Sequence, residues 1–219
     1  MRATRWTVEA IHDPICRMKV VDRIPRSWPS SWKPIADAWR KLHHDYESAV
    51  PGDCVWWMSE RANAALLAAA AISTNVASVV EFEDRAGLGK ANYVDLWVDL
   101  GGRKKCGSIF EVKKIPMSLR NSERNQQQRL RAVKKWAANQ LRDLISANKP
   151  GYAGHLMVFL VPYCPASWSA HEVEDGLTRL QQAIRETQWE LVAWYEASVC
   201  PSEGKKAFPG VFLLISRLR

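Results

Sequence analysis

Paired cysteines are the first thing this sequence lacks. Its five cysteines, Cys16, Cys54, Cys106, Cys164 and Cys200, are odd in number, scattered and never spaced Cys-x-x-Cys. That excludes a disulfide framework and a zinc knuckle and leaves reduced packing residues. Long apolar runs are also missing. The longest, AALLAAAAI at 64–72, is about half of what a membrane-spanning helix needs, and MRATRWTVEAIHD at the start holds no signal-peptide core. A soluble, cytoplasmic protein with no membrane partner is expected. Gly and Pro number 11 each, no segment is low in complexity, and no repeat recurs, which excludes collagen-like, disordered and solenoid classes. There is no Gly-x-Ser-x-Gly elbow and no Cys–His pairing arguable from spacing, so nucleophilic hydrolase chemistry is excluded too.

What is present suits a single α/β domain. With 47% hydrophobic and 25% charged residues, 219 residues bury a real core. The net charge of +8 is unevenly spread: residues 103–149 hold 13 Lys and Arg against three acids, so that window alone exceeds the whole chain's positive balance. A phosphate-bearing partner accounts for such a distribution, and a solvated cationic helix is the plain alternative.

The periodicity predicts a helix over 34–48 and another from Asp53, as N-cap, to Ser73, with Trp57, Glu60, Ala64, Leu67 and Ala71 on one stripe. Three strands follow at 77–84, 91–100 and 108–115, joined by short Gly-bearing loops into an antiparallel meander. A long amphipathic helix over 121–148 buries Leu130, Val133, Ala137, Leu141 and Leu144. HLMVFLVP at 155–162 reads as a strand buried on both faces, and a helix at 170–187 precedes strands at 190–198 and 210–217.

The second strand reads NYVDLWVDL and the third SIFEVKK. Period-two alternation puts Asp95, Trp97 and Asp99 on one face and Glu111 and Lys113 on one face. A hairpin centred on residue 104 sets Asp95 opposite Lys113; a register shifted by two sets it against Glu111. In either case two carboxylates and an ammonium converge. Such a pair repels unless a cation lies between, and hard oxygen ligands suit Mg²⁺, with Mn²⁺ substituting. A cation held by two carboxylates keeps positions for water and a phosphate oxygen, which is the chemistry of phosphodiester hydrolysis. Asp99 lies too far along its strand to share one phosphate with Asp95 and reads as a solvated acid.

Asp95 with Glu111-Val112-Lys113, on the second and third strands of a helix, meander, helix, strand series, resembles the PD-(D/E)XK nuclease superfamily. The resemblance spans 53–162, with 1–52 as an N-terminal extension and 163–219 completing the sheet. It implies a restriction-endonuclease-like core, a mixed central sheet flanked by helices, acting as a metal-dependent endodeoxyribonuclease. It also implies Asp95, Glu111 and the Val112 carbonyl as metal ligands, Lys113 as catalytic base or charge stabiliser, and Glu60 as a supporting acid. The proline of the motif is absent, since Val94 precedes Asp95.

The segment SERNQQQRLRAVKK follows the third strand, which lays Arg124, Gln126, Gln127, Arg131 and Lys135 along a nucleic-acid backbone; Lys114, and Lys90 in the loop RAGLGK, are further phosphate contacts. DNA is the expected partner, with RNA as the second choice. Cutting both strands of a duplex needs two sites, hence a homodimer or a larger nucleoprotein or defence assembly. Trp28, Trp32 and Trp97 are candidates for base stacking, whereas Trp56, Trp57, Trp136, Trp189 and Trp194 read as core or interface, and His43-His44-Asp45 as surface. Glu81 and Glu83 lie on the first strand within reach of the site. The rival function is a non-catalytic nucleic-acid-binding or assembly protein on a nuclease-like fold.

Overall fold

A computed structural model describes residues 30–84, 92–100, 107–147, 152–197 and 202–218. Lys90 and the rest of the RAGLGK loop, Trp28, and the tip of the second hairpin lie outside the described residues, as does the side chain of Glu83. Helix α1 spans Trp32–Ala49 and α2 Glu60–Ser73, with a 3-10 turn at Val55–Trp57 between them. Strands β1 (Ser78–Asp84), β2 (Asn92–Val98) and β3 (Ser108–Ser118) form the expected antiparallel meander. Helix α3 (Glu123–Ala147) leads to β4 (Ala153–Pro165), and α4 (Ala170–Glu186) to β5 (Leu191–Glu196). A short ribbon, β6 (Ser202–Glu203) and β7 (Lys206–Ala207), precedes β8 (Gly210–Arg217).

The result is an α/β architecture around one mixed sheet of eight strands. The main order is β1-β2-β3-β4-β8-β5, in which only β3 and β4 run parallel. Their ladder runs from Ser108 beside Ala153 to Ser118 beside Tyr163. Parallel neighbours need a crossover, and α3 supplies it. The β6–β7 ribbon attaches to the end of β4, and Gly204-Lys205 forms its turn with Gly204 at φ +59°.

Strand parity divides the core in two. Phe110 and Val112 pack with α1 and α2, whereas Ile109, Ile115 and Met117 pack with α3 and α4. The buried stripe of α3 follows the expected spacing, with Leu130, Ala137, Leu141 and Leu144 enclosed and Val133 partly so. Helix α1, predicted over 34–48 within the N-terminal extension, is the heart of the first layer: Trp32, Ile35 and Trp39 are buried. Trp32 lies edge-on to Phe110, so it is not available for base stacking.

Two local expectations fail for physical reasons. Asp53 does not cap α2; its carboxylate accepts from the Tyr46 hydroxyl and from the Cys54 amide, both at 2.7 Å. Ser59 caps instead, accepting from the Ala62 amide at 3.2 Å, because the chain makes a 3-10 turn before entering the helix. His43 is not at the surface. Its ring is 1% exposed, stacked on Tyr195 and edge-on to Trp39, with neither nitrogen hydrogen-bonded among the described residues.

Burial pulls the His43 pKa from 6.5 to about 3, and burial together with the Arg217 charge does the same to His155, which stacks on Phe110. The unfolded chain therefore binds protons at these rings that the folded chain does not, and stability falls as pH drops from 6.5 toward 3. His43→Phe should flatten this acid limb by about one proton in urea melts between roughly pH 7 and pH 4. An unchanged slope would assign the acid sensitivity to other groups.

Candidate active site

The site starts from a ladder that stops early. Strand β2 pairs with β3 at Val98–Ser108, Trp97–Ile109 and Leu96–Phe110, and no further. This is the second of the two registers considered, shifted by two from a turn centred on residue 104, so continuation sets Asp95 against Glu111 and not Lys113. Alternate residues of β3 aim their amides at the β2 side, so Val112 and Lys114 are left without strand partners. Two carboxylates take their place. Asp95 Oδ2 accepts the Val112 N–H at 2.8 Å, and Glu60 Oε2 accepts the Lys114 N–H at 2.7 Å.

Glu60 reaches that edge because it is the first residue of α2, where a carboxylate also meets the positive end of the helix. Lys114 holds the arrangement from the other side. Its ammonium donates to the carbonyls of Trp57 (2.8 Å) and Met58 (2.5 Å), locking the turn before α2 onto β3. Burial lowers its pKa, against the pull of Cys54 and Glu60. Lys114 is thus an internal tie and does not point to a phosphate backbone, as the sequence reading had it.

Glu111 and Lys113 lie on the α3 face of β3, 8% and 7% exposed. Their charged ends meet at 2.5 Å, and the Lys113 ammonium is 3.7 Å from Glu60 Oε1. Burial pushes the Asp95 and Glu111 carboxyls above the usual carboxylate range, more strongly than the Val112 amide and Lys113 pull them down. For Lys113 burial acts to lower the pKa, but Glu111, Glu60 and Asp95 together outweigh it and hold the ammonium charged. Lys113 is thus the group coupled to all three carboxylates.

Asp95, Glu60, Glu81, Arg61, Ser59, Ala64 and Val112 line a cleft of about 250 Å³. Glu81 pairs with Arg61 and has φ +47°, a left-handed conformation that costs a non-glycine residue about 1 kcal/mol. The β1–β2 ladder is interrupted at this residue, directly across from Asp95. Both neighbours of the site therefore leave regular pairing at one point, a feature without a sequence signal because Glu is not a residue that announces positive φ.

Among the described residues no group of three or more His, Cys, Asp or Glu stands in metal-holding geometry. What Asp95 and Glu111 offer is one carboxylate oxygen each beyond those engaged by Val112 and Lys113, next to the Val112 backbone. That donor set is all oxygen and net negative, and it fits a hard divalent cation that keeps several waters.

The basic residues divide by direction. Arg124, Arg131 and Lys135 are exposed, and the latter two line a groove of about 800 Å³ with Lys134, Arg142 and Arg217. Gln127 is engaged by Glu123 and Glu186, and Gln126 is buried, donating to the Ser118 carbonyl, so neither lies open along α3. Trp97 is partly buried, and Asp99 is exposed as expected. Trp136, read from sequence as core or interface, is not core: it is 53% exposed, with the Lys113 ammonium 4.8 Å from its ring centre.

Removing the ammonium tests the coupling of Glu111 and Lys113. Lys113→Met should cost about 3 kcal/mol at neutral pH, because a buried carboxylate is left without its partner. The cost should shrink below the Glu111 pKa and in the double variant with Glu111→Gln. Denaturant melts of the four-protein cycle measure it, and additive losses would show that the two groups are independent.

No family model, no curated protein and no solved structure matches this chain.

Proposed function

We propose that this protein is a metal-dependent nuclease with a PD-(D/E)XK-type site and a restriction-endonuclease-like core, acting on DNA. The observation that carries the reading is the convergence of Asp95, Glu111 and Lys113 at a strand edge that β2 abandons. Asp95, Glu111 and the Val112 carbonyl would hold Mg²⁺ or Mn²⁺, which when bound supplies Lewis-acid polarisation of a phosphate oxygen and acidifies water.

The chain's own residues supply the rest. Lys113 holds its proton, since three carboxylates raise its pKa, which favours the charge-stabilising role over that of a resting general base. Glu60 orients the Lys113 ammonium through the 3.7 Å contact while anchoring β3 through the Lys114 amide. Arg131, Lys135 and their groove partners offer a cationic track for the phosphate backbone.

A second reading is favoured by one observation: Asp95 and Glu60 are also hydrogen-bond substitutes for a missing strand, and Glu111 and Lys113 satisfy each other. A non-catalytic nucleic-acid-binding or assembly protein on this fold would keep all of these contacts. The two readings part on metal dependence. For the nuclease, plasmid and single-stranded DNA are cut in Mg²⁺ or Mn²⁺ and not in EDTA, and Asp95→Asn, which keeps an acceptor for the Val112 amide, lowers cutting by about a thousandfold, as expected for loss of a metal ligand. Salt-sensitive binding indifferent to metal and to Asp95→Asn, with no cutting, supports the second reading.

Protons compete with metal at carboxylates whose pKa is raised. The Mg²⁺ concentration for half-maximal cutting should therefore fall as pH rises through the Asp95 and Glu111 titrations. A requirement for metal that is flat across acidic pH would remove these two side chains from the ligand set.

A further inference from the structure

Among the described residues Trp136 is the one exposed Trp, Tyr or Phe. Every other described tryptophan is buried or partly buried, so an indole left half in water on a long helix calls for an account of its position. It stands next to the candidate active site. The Lys113 ammonium, itself paired with Glu111, lies over one face of the ring at 4.8 Å from the centre. That contact steadies the indole and leaves its exposed portion beside the carboxylates.

The surroundings restrict what the ring can meet. On its own side of α3, at spacings of three and four residues, Ala132, Asn139 and Gln140 are exposed and Val133 is partly buried, with the Lys113 ammonium over the ring. A protein-binding patch gathers several large exposed apolar side chains, and on α3 Trp136 stands as a single one among the described residues. A flat aromatic face beside an ammonium matches a strand with anionic phosphates and open base faces. In a duplex those faces are covered by neighbouring bases, so only an unpaired or extruded base can use the platform.

We infer that Trp136 stacks on an unpaired base beside the phosphate engaged by Asp95, Glu111 and Lys113, and that the preferred substrate is single-stranded or locally unpaired nucleic acid. This rests on the nuclease reading and adds a substrate class to it. The basic groove lined by Arg131 and Lys135 lies on the opposite flank of α3, where Lys134 reaches the Trp189 ring, so base and backbone contacts are spatially separate.

The test is fluorescence anisotropy in EDTA, using labelled oligo-dT, oligo-U and a blunt DNA duplex of equal length, with the wild-type chain, Trp136→Ala and Trp136→Phe. The wild type should favour the single strands. Trp136→Ala should lower the ratio of single-strand to duplex affinity about tenfold, the effect of one lost stack, and Trp136→Phe should restore most of it. Using the ratio cancels any general disturbance of Lys113. An alanine variant with an unchanged ratio, a phenylalanine variant that restores nothing, or a wild type without preference overturns the inference. Metal-dependent cutting alongside an unchanged ratio overturns this inference alone. A wild type that binds none of the three probes removes the nuclease reading with it.

Discussion

Everything at the candidate site follows from two backbone amides on one edge of β3 that have no strand beside them. Val112 and Lys114 donate toward a β2 that has already turned away beyond Leu96. Buried amides must be satisfied, and in this fold carboxylates from β2 and α2 do it. Those two hydrogen bonds set where Asp95 and Glu60 sit. The alternation of β3, held by its long parallel ladder with β4, then brings Glu111 and Lys113 to the same place from the other face. The lysine that follows, Lys114, closes the frame by tying the turn before α2 to the strand.

The positive charge concentrated in residues 103–149 serves two purposes that composition cannot separate. Lys113 and Lys114 are spent inside the protein, one on carboxylates and one on carbonyls, and Lys134 caps the carbonyls of Thr187 and Gln188. Arg124, Arg131 and Lys135 remain at the surface. Counting a basic window therefore overstates the charge available to a phosphate backbone. It also hides the fact that the α3 flank nearest the carboxylates carries an indole in place of a cation.

The order of elements, the amphipathic stripe of α3 and the shared face of Glu111 and Lys113 were legible in the sequence, since all rest on spacing of 2 or 3.6 residues. The hairpin register was legible only as a pair of alternatives, because a two-residue slip preserves every facing pattern. Three features were not legible. Asp53 and Ser59 both suit an N-cap, and the 3-10 turn between them decides. His43 is polar by type, yet a pocket of Trp39, Trp56 and Tyr195 encloses it. Trp136 is apolar by type and sits in a helix, but the neighbouring strand presents an ammonium to it and not a hydrophobic wall.

Charge balance then separates a merely structural network from a working one. To satisfy two amides, a neutral side chain such as Asn or Gln suffices, with no ion to desolvate. Here the enclosed groups Asp95 and Glu111 share one ammonium, Lys113, since Glu60 is partly solvated and also couples to Lys114. The enclosed set therefore carries one negative charge too many, on carboxyls whose pKa values burial already raises. A divalent cation would reverse the sign to a single positive charge, the complement of one phosphodiester. On the proposed function, the same excess that costs the fold stability is what would match the site to a metal and a substrate together.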